Sequence, residues 1–105
     1  MASEINDRAR ISHLLANLGA LANAQNDHGQ AEAYLLEGLA LAHAIGHREN
    51  VTLLLINLGA LARDCGDVKQ AAAYFDEALA LAKEMGHQRY KSLLENERAR
   101  LNERK

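Results

Sequence analysis

The feature that most constrains this chain is a hexapeptide that occurs twice. Asn17-Leu18-Gly19-Ala20-Leu21-Ala22 returns unchanged as Asn57-Leu58-Gly59-Ala60-Leu61-Ala62, 40 residues later. Laid over one another, residues 11–50 and 51–90 agree at 20 of 40 positions. Tyr34 with Tyr74, Gly46 with Gly86 and His47 with His87 keep the same spacing. The chain is therefore an internal repeat. Each copy is one supersecondary unit that buries its apolar face by stacking on a neighbour.

The residues within each copy read as helices. Ile11, Leu14, Leu15, Leu18, Leu21 and Ala22 recur at three and four positions, the period of an apolar helical stripe. This predicts a first helix from about Ile5 to Gln25, with Ser3, Asn6 and Asp7 as candidate N-caps. Asn26-Asp27-His28-Gly29 breaks the pattern as a turn, and Asp27 is placed to cap a second helix, about His28 to Ile45. Gly46 stands where a left-handed C-cap belongs. A third helix follows from about Arg48 to Cys65, then a Gly66-Asp67 turn, a fourth helix from about Val68 to Met85, and a fifth from about Gln88 to Asn102. The 49% hydrophobic content is mostly Ala and Leu, with 4% aromatics. Such a composition suits close-packed helices better than sheets. No proline interrupts any of them. The expected architecture is all-α: tandem antiparallel helix hairpins in a right-handed solenoid. Repeats cover about 8–46 and 48–86, a capping helix covers about 88–102, and all lie in one domain over 1–105.

Gly19 and Gly59 sit inside helices, where glycine costs about 1 kcal/mol against alanine. Its recurrence at the same place implies close approach of a neighbouring helix, with Ala20, Ala22, Ala31 and Ala33 in support. The third helix is apolar almost all round (Val51, Leu53, Leu54, Leu55, Ile56, Leu58, Leu61), as a helix between neighbours should be. The fifth replaces Leu55, Ile56 and Leu58 by Glu95, Asn96 and Arg98 while keeping Leu93, Leu94 and Leu101 as a stripe, the pattern of a solvating cap. The first helix lacks such finishing. It is expected to leave apolar surface open, a route to a homo-oligomer.

Gly19 or Gly59, Asn26-Asp27 or Gly66-Asp67, Ala31 or Ala71, Leu35 or Phe75, and Gly38 or Ala78 together resemble the tetratricopeptide repeat pattern. The closest stretch is Gly66-Asp67-Val68 through Ala71, Phe75 and Ala78 to Leu79-Ala80-Leu81-Ala82. The resemblance covers about residues 11–87 with a half-repeat after it, and is to the long-helix variety found in bacterial regulators and kinesin light chains. The chain departs from the pattern in several places. Ala22 and Ala62 replace a tyrosine, Gly46-His47 and Gly86-His87 replace the closing proline, an aromatic near each first-helix start is missing, and the period is 40 rather than 34.

In this family the first helix of each hairpin lines a concave groove, and an asparagine before the Leu-Gly pair bonds the backbone of an extended peptide. The resemblance thus implies a protein or peptide partner held by Asn17 and Asn57, whose amides both donate and accept. His13, Ala20, Asn23, Ala60, Arg63 and Asp64 share that face by helical spacing. Leu93 and Glu97 occupy the places where relatives that clamp a C-terminal carboxylate carry basic residues, and Arg89, Lys91 and Arg100 do not match them.

No other chemistry is expected. His43 and His47 are four apart, but Gly46 ends the helix between them and no further ligand completes a metal set. His47 and His87 read as residues at helix C-termini, where a charged ring suits the dipole. Cys65, beside Asp64, reads as an inert, partly buried thiol, and Tyr34 and Tyr74 as packing residues. Nothing resembles a nucleophile–base pair or a phosphate loop, so neither an enzyme nor a cofactor is expected. A net charge of −2 argues against nucleic acid and anionic membranes. The charge is uneven: residues 1–82 carry net −5 and residues 83–105 net +3. A single cysteine, no signal peptide and no apolar run of membrane-spanning length make the cytoplasm the expected location. Two hairpins are fewer than repeat arrays usually hold, which favours excision from a larger protein, oligomerisation, including exchange of helices between copies, or engineering.

Overall fold

A computed structural model describes residues 2–103, with side-chain placement for residues 4–102. Five helices follow one another: α1 (Ala2–Ala24), α2 (His28–Ala44), α3 (Arg48–Asp64), α4 (Val68–Met85) and α5 (Gln88–Glu103). Expected and observed ends agree within three residues. α1 starts earlier than its pattern suggested, so Asn6 and Asp7 lie inside the helix and do not cap it. The side chain of Ser3 and the last two residues of the charged tail, Arg104 and Lys105, lie outside the described residues.

The four turns are built alike. Asn26, Gly46, Gly66 and Gly86 all take a left-handed conformation, with φ of 65°, 67°, 85° and 67°. Asn26 is the one non-glycine to do so among the described residues, and asparagine tolerates this region better than other side chains. The reversal turns the next N–H back onto the closing helix. Asp27, His47, Asp67 and His87 donate to the carbonyls of Ala22, Ala42, Ala62 and Ala82 at 2.8–3.0 Å, the six-to-one bond of a Schellman ending. These positions recur every 20 residues, half the sequence repeat.

The residue after each reversal also caps the helix that follows. Asp27 and Asp67 accept from the N–H groups of Gln30 and Gln70. His47 and His87 do the same through Nδ1 for Asn50 and Tyr90. This corrects the reading of these histidines as partners of the preceding helix terminus: each ring belongs to the helix it opens. His87 also stacks on Tyr90, with ring centroids 3.9 Å apart, and its Nε2 lies 3.6 Å from Glu49.

With turns this short, each helix folds back on its predecessor. α1 packs on α2, α2 on α3, α3 on α4 and α4 on α5, and α1 also meets α3. The described chain measures 48 × 32 × 17 Å along its principal axes. Ten of the 17 residues of α3 are buried, as expected for a helix enclosed by neighbours. The helical glycines mark the closest approaches. A Cβ on Gly19 would lie 2.4 Å from Leu35, and one on Gly59 would lie 2.5 Å from Phe75, both fully buried side chains of the second helix in their hairpin. Gly38 is similarly crowded by Leu54 and Leu15.

The two ends differ. α5 buries Leu94 and Leu101 but leaves Leu93 41% exposed, so its apolar stripe is two leucines rather than three. α1 leaves a whole stripe uncovered. Ile11, Leu14 and Leu21 are 48%, 55% and 55% exposed, whereas their equivalents in α3, Val51, Leu54 and Leu61, are 4%, 0% and 6% exposed. Burying such a side chain contributes about 1.5–3 kcal/mol. The first helix therefore forgoes much of what the third gains.

Candidate functional site

The face expected from sequence lies on α1 and α3. In helices of this pitch, His13, Asn17 and Ala20 share one side of α1, and all three are exposed. The corresponding side of α3 presents Asn57, Ala60 and Arg63, all half-buried.

The two asparagines differ in what they touch. Asn57 donates its amide to the carbonyl of Ala16 at 3.1 Å, which ties α3 to α1. Asn50, seven residues earlier and 5% exposed, donates to the carbonyl of Ala9 at 2.9 Å and to Oγ of Ser12 at 2.7 Å. The two bonds stitch the same pair of helices two turns apart. Asn17 has no such helix beside it. Its amide makes no hydrogen bond among the described residues.

A polar chain crosses the face where α1 and α3 end. Nδ1 of His28 lies 3.1 Å from Oδ1 of Asn23, and Asn23 donates to Asp64 at 2.9 Å. Asp64 in turn accepts from Nε of Arg63 at 3.3 Å. The other end of the Arg63 guanidinium donates to Glu97 of α5, which also pairs with Arg100. Asn23, Arg63 and Asp64 are thus joined to each other and to α5. The structure brings these three together, while His13, Asn17 and Ala20 stay free-standing on α1. The chain links residues 41 and 34 positions apart, pairings that no local pattern could announce.

The structure also has features that the sequence did not announce. A cleft of about 410 Å³ lies between α2 and α4, lined by His28, Glu32, Leu58, Leu61, Gln70 and Tyr74 among others. Cys65 lies on its wall, and it is exposed rather than partly buried: it closes α3 at the surface as the C-cap residue. Burial raises the pKa of the Tyr90 hydroxyl above its ordinary value, Glu49 adds to the effect, and Arg89 opposes it. Among the described residues no three His, Cys, Asp or Glu side chains are grouped to hold a metal. Among the described residues no helix is long and apolar enough to cross a membrane.

Residues 54–89, from mid-α3 to the start of α5, match the family model described as tetratricopeptide repeat. No curated protein matches the chain. The matched segment contains the Gly59–Phe75 contact and the Gly66-Asp67 turn, two of the features on which the resemblance rested. Taken with the five consecutive helices that pack each on the next, this match supports assignment to the tetratricopeptide repeat family, whose members are in general protein–protein interaction modules and typically non-catalytic.

Proposed function

We propose that this chain is a non-catalytic scaffold in the cytoplasm that holds an extended segment of another protein along the face made by α1, α3 and α5. The observation that carries the reading is the free amide of Asn17, exposed in the middle of α1 between His13 and Ala20. An amide that both donates and accepts can satisfy a strand-like backbone, which presents an N–H and a C=O at each residue. Small side chains at Ala20 and Ala60 let such a backbone come close. The polar chain from Asn23 to Glu97 bounds the face at one end and offers carboxylate and guanidinium groups to a partner's side chains.

The Asn57 amide is already engaged by Ala16, so the two asparagines are not equivalent tests. Peptides selected on the protein from a random displayed library supply ligands whose dissociation constants can be measured by fluorescence anisotropy. Asn17→Ala should weaken them about 5–10-fold, the loss of a hydrogen bond of roughly 1 kcal/mol. The helix content should not change. Asn57→Ala should lower stability and affinity together. An unchanged dissociation constant for Asn17→Ala across several selected peptides refutes the assignment.

A further inference from the structure

The uncovered stripe on α1 is self-complementary. We propose that it seats a second copy of this chain, whose α1 lies antiparallel across the first. The stripe is exposed Ile11, Leu14 and Leu21 with half-buried Leu18 among them, spaced three, four and three residues apart. That spacing reads the same in both directions. A two-fold axis at the level of residue 16 puts Ile11 opposite Leu21 and Leu14 opposite Leu18 of the second copy, and the reverse. An isologous interface requires this reciprocity: residue i meets j, and j meets i. The spacing is also that of a coiled-coil seam, in which apolar knobs enter holes on the facing helix.

Three observations single out a second copy as the occupant. First, the other end of the stack offers no equivalent surface. α5 buries Leu94 and Leu101 and turns exposed Glu95 and Asn96 outward, so head-to-tail stacking would set the α1 stripe against a polar helix. The remaining exposed large apolar side chains, Ile5, Leu36 and Leu93, lie on three different helices and form no stripe. Second, charge does not oppose the pairing. Between Arg10 and Asp27 there is no Lys, Arg, Asp or Glu. At the rim Arg10 lies 3.9 Å from Asp7 of its own helix, and the axis sets Asp7 opposite Gln25 of the second copy. Third, Asn17 stands beside the axis on the rim of the stripe. Its equivalent Asn57 edges the same apolar face of α3 and bonds the helix packed there.

Sedimentation velocity over a concentration series of the full chain tests this. The mass should rise from 11.5 kDa toward twice that value as concentration passes from micromolar to near-millimolar. Leu14→Lys with Leu21→Lys, both at exposed positions, should keep the helical circular dichroism and remain monomeric over the whole range. Register is read by disulfide trapping in a Cys65→Ser background. Chains carrying Ile11→Cys should cross-link to chains carrying Leu21→Cys and not to themselves. A wild-type monomer at every concentration overturns the proposal. So does a dimer that survives the lysine pair, or Ile11→Cys chains that cross-link with each other. Should the lysine pair fail to fold, the concentration series and the trapping still decide. The outcome is independent of peptide affinity at the α1/α3/α5 face, except through Asn17, which neither the lysine pair nor the trapping variants alter.

Discussion

Gly59→Ala should destabilise the protein and Gly29→Ala should not, although both put the same methyl group in a helix. At residue 59 the added Cβ would lie 2.5 Å from Cε1, 2.6 Å from Cδ1 and 3.0 Å from Cζ of Phe75. Carbon atoms are at ease about 3.5–4.0 Å apart, so the shortfall is close to 1 Å against a ring that is fully buried. Overpacking of this kind costs roughly 1–3 kcal/mol, and the rigid ring puts the cost near the top of that range. The helix preference for alanine over glycine returns about 1 kcal/mol. The net loss is about 2 kcal/mol, which for a chain of this length lowers the melting temperature by roughly 8–16 °C. At Gly29, near the start of α2, nothing lies within 4 Å of the new atom. Only the propensity operates there, so the change should stabilise by up to about 1 kcal/mol. Urea and thermal unfolding followed by circular dichroism measure both. A shortened partner isolates the cause: in a Phe75→Val background Gly59→Ala should instead stabilise by up to about 1 kcal/mol, a coupling of about 3 kcal/mol between the two sites. If Gly59→Ala raises the wild-type midpoint as much as Gly29→Ala does, close approach is not what holds a glycine at this position.

Further substitutions probe the junctions. His47→Ala removes the acceptor for the Asn50 N–H and should cost about 1 kcal/mol, with His47→Asp restoring it, measured as a shift of the urea midpoint. Asn50→Ala leaves the buried Ala9 and Ser12 groups short of a donor and should cost about 1–3 kcal/mol at unchanged denaturant slope, whereas Asn17→Ala should leave the midpoint of the monomer within about 0.5 kcal/mol.

The fold was legible because its determinants are local and repeated. Each helix end is written in a short code: an alanine, then a residue able to take positive φ, then a side chain that caps the next helix. The reading took this code at 40 residues because the capping residue alternates between aspartate and histidine. The structure shows that the alternation hides a turn repeated every 20. Histidine is not a usual N-cap, and so sequence alone gives His47 and His87 only to the helix they close, whereas their rings cap the helix they open. Gly19 and Gly59 were read correctly as contact points because an unfavourable residue kept twice requires a reason in packing. The site was less legible. Helical spacing put Asn17 and Asn57 on one face, but spacing says nothing of what stands beside that face. One amide has a neighbouring helix and spends itself on the carbonyl of Ala16, while the other has none. The bonds from Asn23 to Asp64 and from Arg63 to Glu97 depend on how far one hairpin is displaced along the next, a quantity fixed by the whole core.

The enclosure of α3 bears on how this protein comes apart. Repeat arrays can in principle lose their units one at a time from either end, because each unit contacts only its neighbours. With only two hairpins, this chain has α3 serving at once as one half of its own hairpin and as the floor on which α1 and α2 rest. Removing the second hairpin uncovers the faces of α1 and α2 that α3 seals. Removing the first uncovers Val51, Leu54 and Leu61. Neither half retains a closed interior, and the two are one cooperative unit. The backbone amides of α3 should accordingly be the last to exchange with solvent, opening only when the whole chain does.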